Sequence, residues 1–84
     1  MNLHESQIFS RDVVAELKRL RLERGISQNA LAAKAGVSRA AIQHIEKEIR
    51  NPTLILLHAL ASALDVSLGT VLLRVAKKSC GGRG

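Results

Sequence analysis

The stretch that decides the fold is SQNALAAKAGVSRAAIQHIE, residues 27–46. It contains two short runs with the apolar spacing of helices, each preceded by a serine, and the two runs meet at Gly36. A serine in this position caps a helix because its hydroxyl accepts a hydrogen bond from a free backbone N–H. Glycine tolerates the left-handed conformation in which many helices end. The sequence therefore predicts helices near 28–35 and 39–48, joined by a tight turn.

The second of these helices has one apolar face and one polar face. Ile42 and Ile45 fall on the side that would be buried, and Ala32 on the preceding helix is small enough for the two helices to cross closely. Two helices in this arrangement form a helix-turn-helix, whose second helix reads base edges in the major groove. Two packed helices of an ordinary helical protein are the alternative. DNA binding is favoured by the outward-facing residues, which are Arg39, Ala40, Gln43, His44 and Lys47.

Length and charge narrow the classes of function. A chain of 84 residues forms one small core and leaves little room for a catalytic pocket, so no enzyme activity is expected. The net charge of +6 favours a polyanionic partner, because lysine and arginine release the counterions condensed on phosphates. Phe9 is the single aromatic residue, which disfavours proteins that stack RNA bases on aromatic rings. Double-stranded DNA is therefore the predicted polyanion.

Cysteine and histidine usage bears on compartment and cofactors. The single Cys80 cannot form an intrachain disulfide, and neither a secretion leader nor an apolar run of about 18 residues is evident. These features predict a cytoplasmic protein without a membrane segment. His4, His44, His58 and Cys80 lack the paired spacing of a zinc site, so no metal or cofactor is expected.

A helix-start pattern recurs five times along the chain. An apolar residue or proline precedes a serine or threonine, and a second apolar residue follows four positions later, which is the arrangement of a capped helix with a hydrophobic staple. The capping residues are Ser10, Ser27, Ser38, Thr53 and Ser67. The sequence thus predicts an all-α fold of five helices, near 11–24, 28–35, 39–48, 54–64 and 68–77.

These helices form one predicted domain at residues 10–77. A flexible leader is expected at 1–9, and a basic, glycine-rich, disordered tail at 78–84. The first helix contributes predicted core positions Val13, Val14, Leu17, Leu20 and Leu22, and the fourth contributes Leu54, Leu57, Leu60, Ala61 and Leu64.

The fourth helix also carries a second apolar stripe. A small monomer has no obvious use for two stripes, and exposed apolar clusters commonly mark interfaces. The alternative is that this stripe packs under the fifth helix or the leader. We predict a homodimer interface formed by Ile55, Leu56, Ala59, Ala63 and Leu73.

From about Val13 to Leu73 the chain resembles the lambda-repressor-like helix-turn-helix family, also called the Cro type or XRE family. LRLERGISQNALAAKAGVSRAAIQHIE resembles the core signature of the family, and RNPTLILLHALASALDVSLGTVL resembles its two closing helices. The resemblance implies a compact five-helix domain with the helix-turn-helix at helices 2 and 3. It also implies a transcriptional regulator that binds operator DNA as a dimer and has no enzyme activity.

The family's DNA-binding positions carry over to particular residues. Gln28 matches a glutamine at the start of helix 2 that holds a phosphate, where the helix N-terminus also attracts anions. Arg39 and Gln43 match base-reading positions, and their forked groups suit guanine and adenine respectively. Contacts of these two residues with phosphate or water alone are the alternative. The remaining predicted DNA-binding residues are Ser38, Ala40, His44, Lys47, Arg50 and Asn51.

The resemblance also implies a structural ion pair between Arg21 on helix 1 and Glu46 at the end of helix 3. Two departures stand beside it. Glu48 and Asp65 occupy positions where many relatives have glycine, and glutamate tolerates a left-handed conformation poorly. We therefore expect helix 3 to continue to Ile49, and Glu48 to face solvent or pair with a basic neighbour.

Three biological roles share this chemistry: a phage-type repressor, a controller of a restriction-modification operon, and an antitoxin with a toxin as its partner. An interaction module such as an adaptor or coactivator is the alternative from a different class, but the basic and amide side chains on helix 3 favour DNA.

Overall fold

The computed structural model describes the backbone of residues 2–81 and the side chains of residues 2–78. Within this range the chain forms five α-helices and no strand. The predicted all-α, five-helix fold is therefore confirmed. The helices are α1 (Leu3–Glu23), α2 (Gln28–Ala35), α3 (Arg39–Glu46), α4 (Leu54–Ala63) and α5 (Leu68–Gly81).

The first helix is longer than the sequence predicted. It begins at Leu3, so the expectation of a start near residue 11 is wrong and most of the predicted leader is helical. Asn2 caps the helix, because its side-chain oxygen accepts a hydrogen bond from the backbone N–H of Glu5 at 2.9 Å. Half-buried Phe9 packs against the core and so gives these additional turns a tertiary contact. Tertiary packing is the main source of helix stability in proteins.

The last helix also differs from its predicted end. It continues to Gly81 rather than ending at residue 77, so the tail predicted at 78–84 is helical up to that residue. The rest of that predicted tail, residues 82–84, lies outside the described residues.

A single core lies where the five helices meet. Each helix buries the residues that recur every three to four positions on its inner face, as an amphipathic helix requires. Burying a valine, leucine or isoleucine side chain stabilises a fold by about 1.5 to 3 kcal/mol. The buried apolar residues are Val13, Val14, Leu17, Leu20, Leu31, Ala32, Ile42, Ile45, Leu60, Ala61, Ala63, Leu64, Val71 and Val75.

Three apolar residues lie elsewhere than predicted. Leu22 is exposed because, at 100° per residue, it lies opposite the inner face of α1. Leu54, the first residue of α4, is also exposed. Ala63 is buried in the core, so its assignment to a dimer interface is wrong.

Four of the helices end in the same type of turn. Gly25, Gly36, Glu48 and Asp65 all have positive φ, with values of 66°, 73°, 62° and 58°. In each case the next residue donates its N–H to the carbonyl five residues earlier, over distances of 2.8 to 3.1 Å. The turn is the Schellman motif, for which glycine is preferred. The expectation that helix 3 continues to Ile49 is therefore wrong: α3 ends at Glu46, and Glu48 adopts a conformation that costs about 1 to 2 kcal/mol without glycine.

A buried carboxylate joins α1 to α5. Arg19 donates two hydrogen bonds to Glu16, at 2.8 and 3.1 Å, and Arg74 donates a third at 2.9 Å. The hydrogen bonds from Arg19 and Arg74 outweigh the opposing effect of burial, and lower the pKa of Glu16 to about 2. Glu16 therefore remains ionised in the folded protein at every pH well above 2.

Candidate nucleic-acid interface

The turn between α2 and α3 fixes how the third helix is presented. Ser27 and Ser38 cap the two helices, and each hydroxyl accepts a backbone N–H three residues later at 3.0 Å. Between the helices, Gly36 adopts the left-handed conformation and lets the N–H of Val37 bond to Ala32 at 3.0 Å. The predicted caps and turn are therefore present, and the small Ala32 on α2 is buried in the core as expected.

The third helix is anchored on one side and free on the other. Ile42 and Ile45 are buried in the core. At 100° per residue the opposite side carries the predicted base-reading positions. Two of these, Arg39 and Ala40, are exposed in the first turn, and the others, Gln43 and His44, are half-buried further along the helix. The major groove of DNA admits an α-helix that is presented in this way.

The end of α3 is held by a cluster of three polar side chains. Arg21 donates from Nε to Glu46 Oε2 at 3.0 Å and from a terminal nitrogen to Oε1 at 3.1 Å. Its other terminal nitrogen donates to the carbonyl of Ile26 at 2.9 Å. Gln28 completes the cluster, since its amide nitrogen donates to Glu46 Oε1 at 2.9 Å. The cluster therefore links α1, the start of α2 and the end of α3.

Sequence reasoning missed the bond between Gln28 and Glu46. The contact uses one of the two N–H groups of the amide. Gln28 is the first residue of α2 and is half-buried, so the same contact orients its amide beside the N-terminus of that helix. Only the three-dimensional crossing of α2 and α3 brings these two side chains together.

The loop after α3 presents further polar groups. Lys47, Arg50 and Asn51 are all exposed in this loop. The left-handed turn at Glu48 gives the loop its direction, and the carboxylate of Glu48 pairs with Arg11 on α1. Sequence analysis left open whether Glu48 faces solvent or pairs with a basic neighbour, and it did not identify Arg11. The sequence signal for a basic partner was the acidic residue itself, which lies in an otherwise basic loop.

Two negative observations apply to the part of the chain that the structure describes. Among the side chains of residues 2–78, no three histidine, cysteine, aspartate or glutamate groups are placed to hold a metal ion. No single helix within residues 2–81 is long and apolar enough to cross a membrane. Leu54–Ala63 and Leu68–Lys78 together have the length and apolar composition of a membrane span, but they are bent by 106° relative to each other.

Comparison with known proteins agrees with this geometry. Residues 17–71 match the family model described as helix-turn-helix, and this segment covers α2, α3 and α4 completely. The chain belongs to this family, in its lambda-repressor-like, XRE branch. It is a transcriptional regulator with a helix-turn-helix DNA-binding domain, and the named relatives are regulators rather than enzymes.

Several relatives are similar in sequence. An uncharacterized HTH-type transcriptional regulator of Sinorhizobium fredii is 42% identical over 55 residues, which cover 66% of this chain and 71% of the relative. The HTH-type transcriptional regulator SinR of Bacillus subtilis is 39% identical over 57 residues, or 67% of this chain and 51% of SinR. The immunity repressor of Bacillus phage phi105 is 38% identical over 55 residues, covering 66% of this chain and 38% of the repressor.

A solved structure shows the same fold. The chain superimposes on a substitution mutant of the restriction-modification controller protein C.Esp1396I with a TM-score of 0.76 and 33% sequence identity. The superposition covers 87% of this chain and 94% of that one. The likeness therefore extends over nearly the whole controller protein, whereas the match covers about half of SinR and less of the phage repressor.

Proposed function

We propose that this protein is a sequence-specific repressor or operon controller that acts in the cytoplasm and binds a roughly palindromic operator as a dimer. The observation that carries the proposal is the arrangement of α3. Ile42 and Ile45 fix one face of the helix in the core, while Arg39 and Ala40 project into solvent at its first turn. Both roles occur among the relatives, as an immunity repressor and as a restriction-modification controller.

The outer face of α3 would read the bases. The guanidinium of Arg39 has the fork that bonds guanine O6 and N7 together, and the amide of Gln43 suits adenine N6 and N7. Ala40 would contact a thymine methyl, and His44 lies further along the same face. Each bidentate contact of this kind discriminates against the wrong base by about 1 to 3 kcal/mol.

Groups on both sides of α3 would bind phosphates. Ser38 is exposed, and because its oxygen accepts the capping bond, its hydroxyl proton is free to be donated. Gln28 lies at the N-terminus of α2, where backbone N–H groups favour an anion. On the other side are Lys47, Arg50 and Asn51 in the exposed loop. Contacts of this type fix the register of a protein on the duplex without reading its sequence.

Apolar residues on α4 and α5 would form the dimer interface. Ile55 is 84% exposed, and Leu73 on α5 is 56% exposed. Half-buried Leu56 and Ala59 border Ile55 on α4. A dimer about a two-fold axis at this surface would read inverted half-sites, and half-sites one turn of DNA apart require the two copies of α3 to lie about 34 Å apart. This geometry is the reason for expecting a palindromic operator.

Selection of bound duplexes from a random DNA pool tests the proposal. We expect the selected sites to contain two inverted half-sites whose centres are about 10 base pairs apart. Binding at physiological salt that is no tighter for the selected duplex than for a shuffled duplex of the same composition would contradict sequence-specific recognition. A selected site with a single half-site would contradict the dimer.

A further inference from the structure

The first turns of α1 lie beside the loop that follows α3. A groove of about 180 Å³ separates them, lined by Ile8 and Arg11 on the α1 side and by Arg50 and Asn51 on the loop side. The additional helical turns at the start of α1 are therefore not a detached extension. They form one wall of a groove whose other wall is the loop proposed to bind phosphates.

An ion pair crosses between these two walls, from Arg11 Nε to Glu48 Oε1. Glu48 occupies the left-handed position of the turn that ends α3, and the N–H groups of Ile49 and Arg50 both bond to the carbonyl of His44, at 2.8 and 3.3 Å. The chain therefore turns away from α3 at Glu48. Unlike Gly25 and Gly36 at the equivalent turns, Glu48 has a side chain through which that residue can be held.

We propose that Arg11 is a positioning residue for DNA binding: by holding Glu48 it fixes the path of the chain from α3 to Arg50 and Asn51. This inference rests on the proposed function, in which those two residues bind backbone phosphates. Both members of the pair are more than half exposed, so the pair adds little to the free energy of folding. Its effect is on the geometry of the loop, on which the alignment of the phosphate contacts depends.

Removing the negative charge of Glu48 distinguishes a role in positioning the loop from a simple effect of net charge on DNA binding. Glu48→Gln raises the net charge by one, which should strengthen DNA binding if charge alone matters. If Glu48 holds the loop, the same change should weaken binding of the selected duplex by about three- to fivefold, the upper range for an exposed pair. Asp65→Asn is the matched control, because Asp65 also has positive φ and pairs with Lys34 at 3.7 Å at the end of α4.

Charge exchange provides the second test. Arg11→Glu should weaken operator binding, and the double variant Arg11→Glu/Glu48→Arg, which restores the net charge and the pair, should return the affinity to within about twofold of the original protein. Lys34→Glu carries the same change in net charge as Arg11→Glu but lies at the control pair, and should weaken binding less. Failure of the double variant to recover affinity, or Glu48→Gln binding as tightly as Asp65→Asn, overturns the proposal.

Amide hydrogen exchange in the free protein tests the positioning role of Arg11 without DNA, and therefore independently of the proposed function. In Arg11→Gln, the amides of Ile49 and Arg50 should exchange faster than in the original protein, because their bonds to His44 open more often. The amide of Val66, at the equivalent turn after α4, should be unchanged. If the protein binds no duplex, the proposed function fails. If exchange at Ile49 and Arg50 is unaltered, the positioning role fails even where DNA binding is found.

Discussion

Arg21 and Glu46 are joined by two parallel hydrogen bonds, of 3.0 and 3.1 Å, that connect the last turn of α1 to the last residue of α3. Both side chains are more than nine-tenths buried. Removing two charges from water costs free energy that offsets much of their attraction, so a buried pair is weak evidence of net stabilisation. Its specific consequence is orientation, because two parallel hydrogen bonds restrict how the guanidinium and the carboxylate can lie relative to each other.

We predict that Arg21→Ala and Glu46→Ala each lower the free energy of unfolding by about 3 kcal/mol, because each leaves a buried charge without its partner. The loss of unfolding free energy in the double variant should be smaller than the sum of the two single losses. The difference should be about 1 kcal/mol or more, which is typical of residues coupled in one ion-pair network. Urea unfolding at a fixed protein concentration measures all three. The exposed pair of Lys34 and Asp65 is the control, and its double-mutant cycle should be additive to within about 0.5 kcal/mol.

Stability at acid pH should depend on Glu16. Its pKa is about 2 in the folded protein and about 4.3 in an unfolded chain. The ionised carboxylate therefore stabilises the fold fully above pH 4.3, and this contribution is lost as the pH falls through the folded pKa. We predict that Glu16→Gln costs roughly 1 to 2 kcal/mol at pH 7, less than the full shift implies because both arginine partners are about half exposed.

Denaturant midpoints at pH 7, 4 and 2.5 provide the measurement for Glu16. The difference between the original protein and Glu16→Gln should shrink as the pH falls and should nearly vanish close to pH 2. Glu23→Gln is the matched control, because Glu23 also binds Arg19, at 2.9 Å, but is exposed. A difference that stays constant across this range would show that the hydrogen bonds to Glu16 do not depend on its charge.

Base reading and phosphate binding should respond differently to substitution. Arg39→Ala is expected to weaken specific binding by about 1 to 3 kcal/mol and to relax the preference at one base pair, because a bidentate contact with a base is lost. Gln28→Ala should instead weaken binding to all duplexes by similar factors and leave the selected sequence unchanged. Repeating the duplex selection with each variant distinguishes these outcomes, and an unchanged site and affinity for Arg39→Ala would exclude it from base reading.

The elements that sequence predicted well are those specified by neighbouring residues. Ser27, Ser38 and Thr53 each cap the helix that follows, because the donor and acceptor lie three residues apart. Gly36 likewise marks its turn through its own conformational freedom. Local chemistry of this kind is readable from single residues, and the boundaries of α2 were predicted correctly for this reason.

The features that sequence missed depend on residues far apart in the chain. Arg74 bonds to Glu16 across 58 positions, and nothing near either residue identifies the other. The early start of α1 depends on Phe9 packing against the core, because the preceding polar residues give no periodic signal. At Glu48, intrinsic preference favoured a longer helix. Instead the N–H of Ile49 donates to the carbonyl of His44 in a Schellman turn, so the chain turns at Glu48 although glycine is absent there.

The final prediction concerns the dimer, and Ile55 tests it better than Leu56 does. Leu56 is half-buried and packs against the core, so Leu56→Lys would disturb folding as well as association. Ile55 lies on the outer side of α4 and is 84% exposed, so Ile55→Lys should keep the helical content of the original protein. We expect it to sediment as a monomer and to bind the selected duplex far more weakly, because two half-sites no longer bind together.

Leu22→Lys is the control for Ile55→Lys. Leu22 is exposed and similar in size to isoleucine, but it lies on the outer side of α1. Leu22→Lys adds the same charge and removes a similar apolar area, so effects of charge or solubility should appear in both variants. Only Ile55→Lys should change the sedimentation coefficient. If Ile55→Lys remains dimeric with unaltered operator affinity, the two-fold axis lies on another face, and the exposed apolar surface around Ile55 has a different partner.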